Sequence, residues 1–573
     1  MELELVVNRM EAAAFNVYNL QNLDNWLCKN TLINDKPFNF KDREFQIDIL
    51  RDPKRESIVM KPAQVGLSEL SYRWAVGACC VMPNFTVIYT FPTAGDATKN
   101  NQTRINPMIE GSPELKRLVS PDLNNSEIKQ FGKNSFLFFK GTMAETAALS
   151  TPADAVIHDE YDKSDMDVAT TYTSRLQDKP TKIRKIFSTP TISNYGVDKE
   201  SRTASRLRHM CRCNRCQHDF LPDYFNDVKI PGYDGSLEDI NKINLPTLRY
   251  REAQLLCPKC GRDPELHYTR MRWVCENPDL DYVANAWFVT PFSAHKRISM
   301  PYLIESSTKY KKYSEFKNQG LGLTAEDKNE SITLDDIESM QAMPFPASAE
   351  LHQIGVDLGL ICNITVGREL ETGEVLVVHR ERCRYTEVET RVSLLAIEYS
   401  ATVQVWDSQP YTDIVNRVCS SNPNAWGAVF TQSKSPTAFT AKEEEEDEAE
   451  GKMGFRLVKV NRNAALDELL ALIKSKGIIV NKSAENDIFA KQMLSLKRLQ
   501  KFTQQGELTY VWTKTGDEED HYHFSMLYLY IAIRLRQTAG SPGMAAAGIM
   551  PLLALKKRRL QSRSQVTPDT SWN

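Results

Sequence analysis

The chain lacks a strong net charge: its formal balance is −3 over 573 residues. That excludes a global basic field for nucleic acid, so any DNA contact must come from local patches. It also lacks any run of about 18 apolar residues, the length a membrane-spanning helix needs. No membrane partner is therefore expected. The N-terminus shows no basic stretch followed by an apolar core, so no secretion signal is expected. The 12 cysteines come without such a signal, which points to a reducing compartment and away from a disulfide framework. Internal repeats and coiled-coil heptads are missing, which argues against a solenoid or a long coiled coil. What remains is ordinary, with 41% hydrophobic and 25% charged residues. The length gives ample core and suggests roughly two to four domains.

One further absence is more informative. Residues 60–68 read Met-Lys-Pro-Ala-Gln-Val-Gly-Leu-Ser, a phosphate-binding loop without its lysine in the usual place. Gly66 fills the second glycine position and Ser68 the hydroxyl position. Leu67 stands where the lysine belongs, and Lys61 where the first glycine belongs. A strand-like run (Ser57 to Met60) precedes the loop and a helix-like run (Glu69 to Ala78) follows. That context aims backbone N–H groups and a helix N-terminus at a phosphate. A lysine at the start of the loop can fold back over it and supply the missing charge. Lys61, Gln64, Gly66 and Ser68 are thus expected to hold ATP. Taken alone, the segment reads equally well as a plain strand–turn–helix.

Residues 154–162 read Asp-Ala-Val-Ile-His-Asp-Glu-Tyr-Asp, a short apolar run ending in Asp159-Glu160. Such a Walker B strand delivers acids to the carboxyl edge of an open α/β sheet, where ligands bind. Asp159 would hold Mg²⁺ together with Ser68, and Glu160 would polarise the attacking water. His158 interrupts the apolar run. Further on, Lys185-Ile186-Phe187 leads into Ser188-Thr189-Pro190, a strand end of the kind that couples the γ-phosphate to movement in translocating ATPases. Upstream, Gln46 either reads the adenine edge or is a plain surface residue.

Two C-x-x-C pairs, Cys213/Cys216 and Cys257/Cys260, stand about 40 residues apart. Four thiolates can close around one tetrahedral Zn²⁺, and such a site is structural because no position stays open for substrate. Cys211 and Cys275 lie close enough in sequence to permute the set, and a group of free buried thiols is the plainer alternative. After the proline-punctuated stretch 341–350, an apolar strand carries Asp357 and a later one ends on Asp407. Asp520, beside three other acids and His521, opens a helix with an apolar face. Acids on two strands and a helix N-terminus form a ribonuclease-H-like constellation. Two divalent metals, Mg²⁺ or Mn²⁺, about 4 Å apart would activate water there and stabilise the leaving oxygen. Which of the acids 517–520 is the third ligand stays open.

The order of these parts resembles the large terminase subunit of tailed bacteriophages, in the branch typified by phage lambda. Lysine at the first loop position is typical of that family. Tyr89-Thr-Phe-Pro-Thr93, Asn106 to Pro113 and Phe139 to Ala144 look like further family segments. The resemblance covers roughly residues 35–535. It implies an ATP-driven motor that packages double-stranded viral DNA through a portal ring, and an endonuclease that cuts concatemers into genome units. It also implies a small terminase subunit and the portal protein as partners and a homo-oligomeric ring. The place of action would be the host cytoplasm, transiently at the procapsid portal and not in the mature virion. Two rival readings are a repair helicase or translocase with a nuclease domain, and a non-catalytic zinc-ribbon DNA-binding scaffold. The first would need a second RecA-like lobe where the nuclease acids stand; the second leaves Lys61, Asp159 and Glu160 unexplained.

The expected architecture is α/β. An N-terminal helical segment (1–30) precedes a P-loop ATPase domain with a mostly parallel sheet (31–340) and a zinc-ribbon insertion (205–280). A linker (341–350) leads to a ribonuclease-H-like domain (351–538), followed by a flexible basic tail (539–573). In the resembled family the first segment binds the small subunit and the tail docks on the portal. Equally, the helix would pack on its own domain and the tail would touch DNA. The run Glu443 to Glu448 reads as a solvated loop.

Overall fold

A computed structural model describes residues 20–132, 134–144, 148, 151–279, 282–327, 329–342, 350–431, 437–443, 456–502 and 508–539. The amphipathic stretch before residue 20, the acidic run beyond Glu443, most of the expected linker and the tail from 540 lie outside them. The chain forms two compact units. The first comprises Met1–Asp327 with Gln500–Tyr510, the second Lys328–Leu499 with Val511–Asn573.

The first unit is built on an eleven-stranded sheet. The strands that position the site are β1 (Glu56–Met60), β2 (Thr86–Phe91), β3 (Ser135–Gly141), β4 (Ala155–Asp159), β5 (Ile183–Ser188), β6 (Ser205–Arg212), β7 (Met271–Cys275) and β8 (Ala284–Phe288). Seven of them run parallel in the order β6-β8-β1-β5-β4-β2-β3. Every residue of β4 is buried, and only Glu56 of β1 is not. A strand covered on both faces reads as an unbroken apolar run, which is why these segments do not alternate. Helix α1 (Leu67–Val81) supplies one cover, packing Leu70, Trp74, Ala75 and Ala78 into the core with Val87 and Tyr89. His158 is accommodated in β4 because its Nδ1 meets Thr90 Oγ1 at 2.7 Å. Burial, helped by the charge of Arg184, pushes its pKa down to about 3, so it sits there neutral.

Parallel strands deliver their carboxyl ends to one edge. The register pairs Met60 with Ser188 and Phe187 with Asp159. The phosphate loop, the Ser188 turn and the two acids therefore arrive side by side.

β7 runs antiparallel to β6, with His209 opposite Trp273. Leu207 and Arg208 pair with β7 and β8 at once, so those strands flank β6 on opposite edges. The cysteine-bearing insertion is thus an outgrowth of the sheet itself.

The second unit has a nine-stranded sheet. Its elements in use here are α2 (Leu334–Met340), β9 (Gln341–Ala342), β10 (His352–Asp357), β11 (Ile361–Glu369), β12 (Val375–Arg384), β13 (Ala401–Asp407), β14 (Ala425–Thr431), β15 (Ile478–Asn481) and α3 (His521–Ala539). The central order is β12-β11-β10-β13-β14, with β11 antiparallel to both neighbours and the other pairings parallel. This is the ribonuclease-H-like arrangement. α3 lies directly on β10: a Cβ on Gly355 would come within 2.2 Å of Leu529 N and Ser525 O. Only glycine permits that approach.

The boundary falls earlier than the sequence suggests. Ile332, Ile337 and Met340 are buried in the second unit's core with Leu469 and Val480, and β9 pairs with β15. Residues 328–342 thus belong with the second unit, because their apolar side chains find cover there.

Candidate functional site

The loop after β1 closes around a cavity of about 420 Å³. Lys61, Gln64, Gly66, Ser68, Asp159 and Glu160 all line it. Two left-handed residues shape the loop, Gln64 at φ 61° and Gly66 at φ 82°. The second begins α1, and a Cβ there would meet Arg43 Nε at 2.9 Å and Gln46 Nε2 at 3.1 Å. Gln46 does not line the cavity. It is buried beneath the loop and donates to Val65 O at 3.0 Å. Its amide supports the loop's shape, which departs from both sequence readings of it as an adenine contact or a surface residue.

Ser68 Oγ donates to Asp159 Oδ1 at 3.5 Å, and Tyr89 OH donates to Oδ2 at 3.1 Å. Burial pushes the Asp159 carboxyl up, while the charge of Lys61 opposes it. Ser68 and Asp159 are the hard oxygen donors a Mg²⁺ would take here. Glu160 sits in the left-handed region, φ 54° and ψ 44°. Its carboxylate meets Lys61 Nζ at 3.4 Å and Lys163 Nζ at 2.9 Å. Burial raises its pKa, but those two charges outweigh it and hold it at about 2.

Sequence reading missed Tyr72, Asn100 and Arg104, which also line the cavity. Tyr72 had a signal, since it follows Ser68 by one helical turn. Asp162 was missed too. It is buried and accepts from Thr191 N (2.9 Å), Thr191 Oγ1 (2.8 Å) and Val197 N (2.8 Å). It thereby ties the turn after the acids to the segment after Ser188. Burial, against these donors, raises its pKa to about 6.

In the second unit, β10 and β13 are parallel neighbours with Val356 beside Trp406, so Asp357 and Asp407 end the two strands abreast. Asp357 Oδ2 meets His521 Nδ1 at 2.7 Å. Burial raises Asp357 to about 6, with His521 opposing and Asp520 adding. Burial and then Asp357 raise Asp407 to about 7, against Gln409 N–H and the Tyr528 hydroxyl. Asp520 stands at the start of α3, where its charge reaches Asp357 and His521. Among the described residues, only the four cysteines bring three or more ligand atoms within 4.8 Å of one another. The three acids are set wider than that. Tyr528 was not anticipated; it lies seven residues after His521, two turns along the same helical face.

The cysteine site is formed by two matching knuckles. Gln217 N donates to Cys213 O and Gly261 N to Cys257 O; Cys213 N and Cys257 N donate to His218 O and Arg262 O. Each turn has a left-handed residue after its second cysteine, Gln217 at φ 59° and Gly261 at φ 65°. Cys213 and Cys260 sulfurs lie 3.9 Å apart, Cys216 and Cys257 sulfurs 3.6 Å. A tetrahedron with Zn–S near 2.3 Å has edges of about 3.8 Å. The four thiols and these two spacings therefore fit a zinc ion. Cys211 and Cys275 stand outside the cluster.

Residues 43–273 match the family model described as phage terminase large subunit gpA, ATPase domain. No curated protein matches the sequence. Among solved structures, the chain is similar to a large terminase from a thermophilic bacteriophage at 11% identity, covering 84% of this chain and 93% of that one, with a TM-score of 0.29. The large terminase ATPase domain of Thermus phage P74-26 is 13% identical over 50% of this chain and 92% of that one, with a TM-score of 0.28. The large terminase nuclease of thermophilic phage G20c, with bound magnesium, is 15% identical over 36% of this chain and 98% of that one, with a TM-score of 0.25.

Proposed function

We propose that this chain, whose first unit carries the ATPase domain of a phage terminase large subunit, is the viral DNA-packaging enzyme as a whole: an ATP-driven motor on double-stranded DNA and a metal-dependent endonuclease. The observation that carries this reading is the pairing of two sites in one chain. One parallel sheet brings Lys61, Ser68, Asp159 and Glu160 to a single cavity. A second, ribonuclease-H-like sheet ends in Asp357 and Asp407 abreast.

In the first site, Lys61 and the amides of Gln64 and Gly66 hold phosphates, as a P-loop and its lysine do. Ser68 and Asp159 would hold Mg²⁺, which when bound would neutralise charge on the phosphates. Glu160 orients and deprotonates the attacking water once phosphate competes for Lys61. In the second site, Asp357, Asp407 and Asp520 would hold a pair of Mg²⁺ or Mn²⁺ ions, whose chemistry when bound would be to activate water and stabilise the leaving oxygen. His521 orients Asp357, as outer partners of metal ligands do. Cys213, Cys216, Cys257 and Cys260 would hold a structural Zn²⁺.

The partners that follow are a small terminase subunit, the portal of a procapsid and further copies of this chain in a ring. The site of action is the host cytoplasm. The test measures DNA-stimulated ATP hydrolysis and Mg²⁺- or Mn²⁺-dependent DNA cleavage on one preparation. Both activities are expected; ATPase activity without any cleavage would leave a translocase only.

A further inference from the structure

We propose that a row of arginines on the stem of the cysteine-bearing insertion is a docking surface for the phosphate backbone of duplex DNA. This rests on the DNA-packaging reading proposed above. β6 reads Ser-Arg-Leu-Arg-His-Met-Cys-Arg, with arginine at 206, 208 and 212. Alternate residues of a strand share one face, so these three stand in line. The gap in the row, Met210, lies opposite Arg272 of β7, and directly opposed residues share a face. Four guanidiniums therefore belong to one side of the stem. The other side is claimed by the core: His209 stacks on Trp273 and meets Ser293, and Cys211 is buried with Cys213, Cys257 and Met271.

The row is held in place. Arg208 Cζ lies 3.7 Å and Arg206 Cζ 4.9 Å from the centroid of the Phe288 ring, which is itself buried with Ile58, Ile186 and Val197. Contact with that ring steadies both guanidiniums. Two carboxylates answer the row. Glu276 meets Arg208 Nε at 2.7 Å and Arg206 Nε at 3.3 Å, and Asp219 meets Arg272 Nη2 at 2.9 Å. One carboxylate thus serves two arginines. Arg212 is exposed at the end of the strand, and its side chain makes no hydrogen bond or ion pair with any described residue. Positive charge is left in surplus along the face.

A DNA strand is a regular line of negative charges. Alternate positions of a β-strand repeat about every 6.6–6.8 Å, a spacing of the same order as that of successive phosphates along one DNA strand. Each guanidinium offers paired N–H donors to the oxygens of a phosphate. The pairs with Glu276 and Asp219 are solvent-facing and worth little in water, so a phosphate can take over their arginines. The regular repeat favours DNA over an acidic protein surface, which would need its own carboxylates at the same interval. Phosphate contacts position a duplex and carry no sequence information, which suits a motor that must pass DNA of any sequence. A chain with a formal charge of −3 has no global field for DNA and depends on a local patch of this kind.

The test titrates a fluorescent duplex of mixed sequence with full-length chains by anisotropy, over a range of salt and without added Mg²⁺ or Mn²⁺, so that no cutting occurs. Arg212→Ala should weaken binding roughly fivefold to tenfold at about 0.1 M salt and lower the log–log salt slope by about 0.9. Arg208→Ala combined with Arg212→Ala should lower the slope by about twice as much. Glu276→Gln releases two arginines and should tighten binding, by roughly threefold; a merely structural ion pair would loosen the fold and leave DNA affinity unimproved. Arg212→Ala, whose side chain has no partner in the fold, keeps the test open even where loss of the Phe288 contact costs the double variant its fold. Wild-type affinity and slope in either arginine variant would overturn this inference alone and leave the row to an acidic protein surface. So would a Glu276→Gln chain that binds no tighter than wild type. A wild-type chain that fails to bind the duplex would overturn the DNA reading, and this inference with it.

Discussion

Glu160 shows how much is invested in one residue. A left-handed backbone costs a non-glycine residue roughly 1–2 kcal/mol and persists only where neighbours over-determine it. Here Lys61 and Lys163 hold the carboxylate from two sides. On the proposed mechanism, Glu160 is a poor base as long as Lys61 holds it, and phosphate must draw the lysine away first. Glu160→Ala should therefore bind ATP and fail to turn it over, as read by nucleotide titration beside phosphate release. Lys61→Ala should lose ATP hydrolysis and packaging while DNA cleavage continues. The lost charge-assisted contact to phosphate is worth about 1.5–3 kcal/mol; normal ATPase activity in this variant would remove the loop from the mechanism. Asp162 works on the same scale. Asp162→Asn puts an amide NH₂ against N–H donors and should lower both thermal stability and DNA-stimulated kcat, because the Thr191 segment loses its acceptor. Retention of both would show the buried carboxylate to be idle.

At the scale of elements, the cysteine knuckles are the most self-contained piece. One Zn²⁺ per chain is expected by elemental analysis, and Cys257→Ser should lose it and destabilise the fold, since structural zinc binding is linked to folding. A metal-free, fully folded protein would sink the assignment. The stem of the same element carries a pH response. His209 on β6 stacks on Trp273 at 4.4 Å, and its Nδ1 meets Ser293 Oγ at 2.9 Å. Burial, with His295 adding, pushes its pKa down to about 4. An unfolded histidine titrates near 6.5. Between those values the unfolded chain takes up a proton that the folded one refuses. The contribution is thus complete above about pH 6.5 and is lost as pH falls toward 4. Melting curves from pH 7.5 to 4.5 should show His209→Phe with a shallower acid loss than wild type; equal slopes would exclude His209 as the cause. Sequence made the Gly261 turn legible, because glycine advertises a left-handed residue. It could not show Gln217 in the matching place, since the knuckle forces that conformation on a residue with no such preference.

For the whole molecule, the two chemistries should separate by mutation. Asp357→Ala is expected to eliminate cleavage in Mg²⁺ or Mn²⁺ while DNA-stimulated ATPase activity persists; wild-type cutting would mean that the second unit is not the nuclease. Both sheets were legible in sequence because their strands end on acids after apolar runs, and runs buried on two faces leave little ambiguity. The walls of the sites were not. Tyr72 lines the first cavity and Tyr528 bonds to Asp407, yet helical spacing alone does not say so, and Gln46 reads as an adenine contact or a surface residue until its burial under the loop is seen. The unit boundary was misplaced for a related reason: proline-rich 341–350 looks like punctuation, yet the apolar side chains before it are claimed by the later core. One consequence concerns self-association. β6 is eight residues long, and β7 covers its outer edge. Excising the insertion would leave a row of N–H and C=O groups open to any other chain, and exposed strand edges of that kind aggregate. Chelation should therefore be visible as light scattering at protein concentrations where the intact chain stays clear. The thiolate knuckles would serve the fold by keeping an adhesive seam covered.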